Sequence, residues 1–155
     1  MALFLSTTLY KIDSKSRVSL PSNFRNTLSN QSFQGIIAFP SYSTNSIDAC
    51  GIDRMELIAD SLDDNQNYSK DEYDLISLYF SEAEKIPLDK DGRVILPKKL
   101  IKHAKISDQV LFVGLGPTFQ IWEPNAYENK KSKTIKKAKE KNLNPRLKPI
   151  PKGIV

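Results

Sequence analysis

Asp, Arg, Val, Leu and Pro recur in register when the 155-residue chain is laid on itself with an offset of 76. Ile12-Asp13-Ser14-Lys15-Ser16-Arg17-Val18-Ser19-Leu20-Pro21-Ser22-Asn23-Phe24 falls on Leu88-Asp89-Lys90-Asp91-Gly92-Arg93-Val94-Ile95-Leu96-Pro97-Lys98-Lys99-Leu100. The shared pattern is apolar-Asp-Xaa-Xaa-Xaa-Arg-Val-Xaa-Leu-Pro-Xaa-Xaa-apolar, an internal repeat. An arginine at its centre can donate two hydrogen bonds to guanine O6 and N7, a pairing worth about 1–3 kcal/mol of base discrimination. The same arginine can instead close its own loop by a charge-assisted bond to the aspartate four residues earlier. Both uses are open for Arg17 and Arg93. Asp13 and Asp89 are expected to organise the loops, because a carboxylate repels phosphate. Lys15 is short of local acid and is expected to meet phosphate. Its counterpart Asp91 opposes such contact, so the two copies should contribute unequally.

Other chemistry is poorly provisioned. His103 is the sole histidine, which leaves a catalytic triad or a multi-histidine metal site without its usual parts. It lies in Leu100-Ile101-Lys102-His103-Ala104 and reads as a solvated or helix-end side chain. No glycine-rich nucleotide loop is present, and Gly114-Leu115-Gly116-Pro117 between two apolar runs reads as a hairpin turn. Cys50, the one cysteine, lies between Ala49 and Gly51 and reads as a small buried apolar residue. The expectation is a non-enzyme with no catalytic residues, no cofactor, no metal and no small-molecule ligand.

Composition sets the frame for these motifs. With 39% hydrophobic and 26% charged residues the usage is that of a globular chain. The run Val110-Leu111-Phe112-Val113-Gly114-Leu115 is far short of the roughly 18 apolar residues that suggest a membrane span. The first residues lack the basic region of a signal peptide. A lone cysteine fits a reducing compartment, so the cytoplasm is expected. The formal net charge is +5, yet its excess of base lies in the lysine-rich end beyond Tyr127. Basic residues also cluster locally: Lys11, Lys15, Arg17 and Arg25 outnumber Asp13, and seven bases in residues 85–105 outnumber Asp89 and Asp91. Residues 48–84 hold eleven acids against Arg54 and Lys70. That acidic middle should face away from DNA or meet a neighbouring subunit's basic edge.

The elements that must position the motifs follow from pattern. Alternating runs around residues 10–12 and 17–20 predict two strands joined by the polar loop 13–16. Gly92 supplies a residue able to take positive φ in the second copy of that loop. Pro21 and Pro97 suit a first helical turn, and short helices follow, marked by Phe24 and Leu28 and by Leu100, Ile101 and Ala104. Strand pairs are expected at 35–39 with 47–52 and at 109–114 with 118–122. The first pair is joined by a long Ser/Asn-rich loop, 40–46, expected to be mobile. Asp53-Arg54-Met55-Glu56 predicts a capping-box start, with Asp53 as N-cap, for a helix through Leu62. A polar linker is expected at 63–67, then a partly buried helix marked by Tyr73, Ile76, Leu78, Tyr79 and Phe80. A helix opens at Glu123-Pro124-Asn125 and runs into the basic tail, which ends extended at Pro145, Pro149 and Pro151. Each repeat alone is marginal for an independent core, so the halves should pack together with both loops on one face.

These residues resemble the MraZ family of bacterial transcriptional regulators, which carries two AbrB/SpoVT/MazE-like swapped-hairpin elements in one chain. The likeness rests on residues 9–25, 83–104 and 110–122 and covers roughly residues 1–130. Ser16 stands where the family usually has glycine, and Asp91 where glutamine is common. The resemblance implies an α+β fold, mainly β with short helices, in which two pseudo-two-fold-related units form one pseudo-barrel. The expected division is 1–62 and 83–129 for the repeats, 63–82 for a connecting helix and linker, and 130–155 for a basic Lys/Pro-rich tail. It also implies a sequence-specific regulator, expected to be a repressor, that forms a ring-shaped homo-oligomer in the nucleoid. Its partner would be double-stranded DNA carrying short G-rich direct repeats upstream of the division and cell-wall gene cluster. Lys15, Arg17 and Arg93 are the implied DNA-contacting residues. The alternatives are a ring-forming scaffold or inhibitor protein and an antitoxin-like partner of a toxin.

Overall fold

The computed structural model of the chain describes residues 2–64, with the backbone alone at Asp64, and 68–147. The linker residues Asn65, Gln66 and Asn67 and the prolines Pro149 and Pro151 lie outside the described residues. The class is α+β, mainly sheet with short helices. Elements follow in the order β1 (Thr7–Lys11), β2 (Arg17–Ser19), α1 (Ser22–Leu28), β3 (Gly35–Pro40), β4 (Ile47–Cys50), α2 (Ile52–Asp64), α3 (Lys70–Glu82), β5 (Glu84–Pro87), β6 (Arg93–Ile95), α4 (Lys98–His103), β7 (Gln109–Gly114), β8 (Phe119–Trp122) and α5 (Pro124–Lys141).

Strand pairing interleaves the two repeats. A six-stranded sheet has the order β1-β7-β8-β4-β3-β5, and β2 pairs only with β6 in a separate two-stranded ribbon. Thus β1 lies antiparallel to β7 of the other repeat, Leu9 opposite Leu111, while β5 lies against β3, Ile86 opposite Ile36. Neither repeat could form this sheet alone, since each supplies edge and interior strands to the other. No pairing joins β1 to β5 among the described residues, so the sheet order is open.

Alternation along the strands sends side chains to two cores. Ile36, Ala38, Ile47, Ala49, Ile86, Val110, Phe112, Phe119 and Ile121 face one cluster, filled by Phe4, Phe24 and Leu28 and by Val18, Leu20, Val94, Leu96 and Leu100 of the ribbon and its helices. Phe4 packs edge-on to Phe24 at 5.2 Å, and Phe24 meets Phe119 at 4.9 Å. Ile37, Phe39 and Cys50 point the other way, onto Met55, Ile58 and Tyr79 of α2 and α3. β3 is buried on both faces for this reason. Burial pushes the Cys50 thiol up to about 12, which leaves it an inert core residue.

Several expectations are corrected. Pro21 and Pro97 sit one residue earlier than expected, at the N-caps of α1 and α4. Their carbonyls accept the first helical bonds, from Arg25 N at 2.9 Å and Leu100 N at 3.0 Å. Asp53 is no N-cap: α2 begins at Ile52, and Gln31, eight per cent exposed, accepts from Asp53 N through Oε1 at 3.1 Å. A cap from 22 residues upstream replaces the local one. The same helix runs through Asp63 and Asp64, the start of the expected linker. The loop after β3 is knitted together rather than loose. Ser41 Oγ accepts from Thr44 Oγ1 at 3.1 Å, Thr44 Oγ1 lies 2.7 Å from Ser46 Oγ, and Ser41 and Ser46 are buried. His103 does end α4, yet it is half-buried, with no hydrogen bond at Nε2 among the described residues.

Gly116, at φ +82°, makes the expected hairpin turn between β7 and β8. Phe4 exchanges two backbone bonds with it, at 2.7 and 2.9 Å, pinning the N-terminal segment over the turn. The chain divides after Pro124 into a body, Met1–Pro124, and a second unit, Asn125–Val155. Helix α5 leads into that second unit; none of its residues is buried. Its span is about 27 Å at 1.5 Å per residue, and Lys139 and Lys141 occupy its last turn, where they oppose the negative end of the helix dipole.

Candidate nucleic-acid interface

The loops at 13–17 and 89–93 have the same internal wiring. Asp13 N donates to Arg17 O at 3.0 Å and Ser16 N to Asp13 O at 3.0 Å; Asp89 N donates to Arg93 O at 2.9 Å and Gly92 N to Asp89 O at 3.1 Å. The aspartate side chain fills the turn. Asp13 Oδ1 accepts from Lys15 N and Arg17 N, both at 2.9 Å, and Oδ2 from Arg17 Nε at 2.8 Å. Asp89 Oδ1 accepts from Asp91 N at 2.8 Å and Arg93 N at 2.9 Å, and Oδ2 from Arg93 Nε at 3.1 Å. The Arg17 N–H, with further donors from Arg17 and Lys15, holds the Asp13 carboxyl below its usual range; the Arg93 N–H does the same for Asp89.

Positive φ at the fourth loop position completes the turn. Ser16 has φ +63° and Gly92 +75°. A residue with a Cβ resists this region by about 1–2 kcal/mol, so the first loop carries strain that the second avoids. The difference has a steric side. A Cβ on Gly92 would lie 2.6 Å from Arg25 Nη1. Arg25, held by its Nη1 bond to Leu20 O at 3.1 Å, therefore reaches over from the first repeat to lie against the second loop. Its repeat counterpart is Ile101. This role was missed from sequence, where Arg25 counted only as local charge; its proximity to a loop 67 positions away has no sequence signal.

Ribbon pairing joins the loops back to back. Arg17 lies opposite Ile95, Val18 opposite Val94 and Ser19 opposite Arg93. Leu20 N donates to Gly92 O and Leu96 N to Ser16 O, both at 2.9 Å, extending the ladder symmetrically. Val18 and Val94 are each one per cent exposed, so the alternation places Arg17, Ser19, Arg93 and Ile95 together on the outer face. Arg17 and Arg93 are diagonal neighbours, about 7–8 Å apart by sheet geometry.

The two arginines differ in what remains to donate. Both arginine side chains are about one-third exposed. Arg93 also gives Nη2 to Asp91 Oδ2 at 3.3 Å. Among the described residues neither Nη of Arg17 has a hydrogen-bond partner, and Lys15 is exposed without an ion pair. Closing the loop thus occupies Nε of each arginine, and the Nη groups of Arg17 are left without a hydrogen-bond partner among the described residues. The basic region around the second loop is weaker than its composition suggests, because Lys99 Nζ pairs with Glu84 Oε1 at 3.1 Å and Glu82 Oε2 at 3.4 Å. Part of the acidic middle is therefore used within the same chain.

No cluster of His, Cys, Asp and Glu that could hold a metal ion exists among the described residues, and no described helix is long and apolar enough to cross a membrane.

Comparison with known proteins identifies relatives of the chain. The family model "MraZ protein, putative antitoxin-like" matches residues 79–147. The likeness therefore reaches past residue 130 into α5, further than the motifs alone indicated. The chain is 45% identical over 142 residues to "Transcriptional regulator MraZ" of Pelagibacter ubique (strain HTCC1062), covering 92% of this chain and 90% of that protein. Proteins of the same name from Rickettsia akari (strain Hartford) and Rickettsia bellii (strain OSU 85-389) are 43% and 42% identical, over 83% and 92% of this chain and 86% and 96% of theirs. These relatives are regulators rather than catalysts, and the chain is not an enzyme. It belongs to the MraZ family of transcriptional regulators.

Proposed function

We propose that the chain is a sequence-specific DNA-binding repressor of the cytoplasm and nucleoid, acting on short G-rich direct repeats upstream of the division and cell-wall gene cluster. One observation carries this reading: the β2–β6 ribbon sets Arg17 and Arg93 diagonally across its outer face, with the Arg17 Nη groups unpartnered among the described residues. A two-stranded ribbon fits the major groove. Arg17 and Arg93 read guanine, Lys15 contacts phosphate, and Asp13 and Asp89 hold the loops in shape. The functional halves are the repeats 1–62 and 83–129, joined through 63–82, and residues 130–155 add nonspecific phosphate attraction. The protein works as a ring-shaped homo-oligomer. Its α3 leaves Tyr73, Leu75, Leu78 and Phe80 exposed, apolar surface that a subunit contact would cover.

The test is a mobility shift of the protein on the upstream region of its own gene and on a scrambled duplex at moderate salt. Preference for the specific duplex is expected. Equal binding to both would reject sequence-specific regulation and favour a scaffold or antitoxin-like role.

A further inference from the structure

The outer face of the ribbon holds one side chain that electrostatics does not explain. Ile95 is 59% exposed although it sits in a strand at the centre of the candidate interface. It lies directly opposite Arg17 and two residues after Arg93 on the same strand. Cross-strand neighbours have Cβ atoms about 5 Å apart, and alternate residues along a strand are about 6.7 Å apart. The four outer side chains therefore cover about two base-pair steps of 3.4 Å each. The repeat counterpart of Ile95 is Ser19, opposite Arg93. The backbone of the ribbon is pseudo-symmetric, but its outer surface is apolar at one corner and hydroxylic at the other.

We propose that Ile95 is a specificity-determining residue that packs against the C5-methyl group of a thymine in the major groove, beside the bases read by Arg17 and Arg93. The inference rests on the DNA-reading role proposed above. Thymine is the base that offers an apolar group in that groove, and aliphatic side chains recognise it by contact. Charge argues for DNA as the occupant: Ile95 is bordered by two arginines, which would repel the same face of a second copy. Asp91, paired with Arg93 Nη2, lies at the loop end rather than opposite Ile95. Ser19 can bond to any base edge, so the apolar preference belongs to the second repeat and gives the ribbon a direction on its site.

The test replaces each thymine of the specific duplex in turn by deoxyuridine, which removes only the methyl group. The wild-type protein should lose about fourfold in affinity at one thymine, the amount expected for one buried methyl. Ile95→Ser should bind the thymine and uracil duplexes equally, and Ile95→Val should keep most of the discrimination. Specific binding by wild type with no uracil-sensitive position, or with discrimination retained in Ile95→Ser, would overturn the role of Ile95 while leaving the DNA-reading role intact. A changed native mass for Ile95→Ser would make Ile95 a subunit contact and overturn it equally. Absence of specific binding by the wild type would remove both.

Discussion

The first and second Asp-to-Arg loops share a backbone and differ in side chains within and just beyond them. Lys15 faces Asp91, Ser16 faces Gly92, Arg25 faces Ile101 and Ser19 faces Ile95 across the repeat. The shared part is what the turn requires: a carboxylate accepting two backbone N–H groups and one Nε, and a left-handed fourth residue. The differing part lies on the surface or against the neighbouring loop. Duplication thus preserved the geometry of the loops and left their chemistry free to diverge. Among the described residues the first loop presents a lysine without an ion pair and an arginine whose Nη groups have no hydrogen-bond partner; the second presents an arginine further tied by Asp91, with Ile95 on the strand that follows it.

That asymmetry makes ordered predictions. The largest effect falls on Arg17. Arg17→Ala should weaken specific DNA binding by about 5- to 150-fold, the range for a lost bidentate guanine contact. Arg93→Ala, with one Nη already engaged, should weaken it less. Anisotropy titrations at fixed salt measure both, and a larger loss for Arg93→Ala would invert the comparison.

Stability should respond next. Gly92→Ala places a Cβ at φ +75° against Arg25 and should cost about 1–2 kcal/mol in urea denaturation. Ser16→Gly relieves a φ of +63° and should stabilise by up to about 1 kcal/mol, less the extra chain entropy of glycine. Equal, opposite-sign effects would show that backbone conformation alone matters, whereas an excess cost at Gly92 that disappears in Arg25→Ala would isolate the steric contact.

Charge exchange has a smaller and salt-dependent signature. Lys15→Ala should flatten the slope of log affinity against log salt by about 0.9, and Asp91→Lys should steepen it by about the same amount. An unchanged slope for both would mean that neither loop position meets phosphate.

The pH response is the smallest near neutrality. Asp13 and Asp89 have folded-state values held below the usual aspartate range by the backbone N–H groups of Arg17 and Arg93. Their contribution is therefore fully present above the unfolded-state value and is lost as pH falls through the folded one. Loop stability should be flat from pH 6 to 8 and fall below about pH 4. Asp13→Asn and Asp89→Asn should each reduce the acid-dependent loss in a urea series, by similar amounts, because the two carboxylates have the same partners.

How far sequence could reach is clear from particular residues. The alignment of Ser16 with Gly92 predicted a shared loop, and both residues have positive φ. The alternation of residues 17–20 indicated a strand. It could not indicate that β2 pairs with β6 rather than with β1, because alternation specifies a face and not a partner. Helix starts show the same limit. Asp53-Arg54-Met55-Glu56 had the residue types of a capping box, yet Gln31 supplies the cap. Ser69-Lys70-Asp71-Glu72 has those types too, and there Ser69 Oγ accepts from Glu72 N at 3.1 Å. What separates the two is tertiary: Gly51 is buried against Gln31, with no room for a Cβ. Arg25 over Gly92 and Lys99 between Glu82 and Glu84 were hidden for the same reason, since charge counts along the chain cannot tell a free cation from a paired one.

In the proposed complex Arg17 reads a guanine while its Nε holds the loop. The most direct test of this reading is a cycle in which wild type and Arg17→Ala are titrated with the specific duplex and with duplexes in which single guanines carry 7-deazaguanine, which lacks the N7 acceptor. At one position the wild type should lose about tenfold in affinity, and Arg17→Ala, weaker throughout, should show no further loss there. A loss of the same size in both proteins at every sensitive guanine would contradict direct readout by Arg17 and leave it a loop-closing residue.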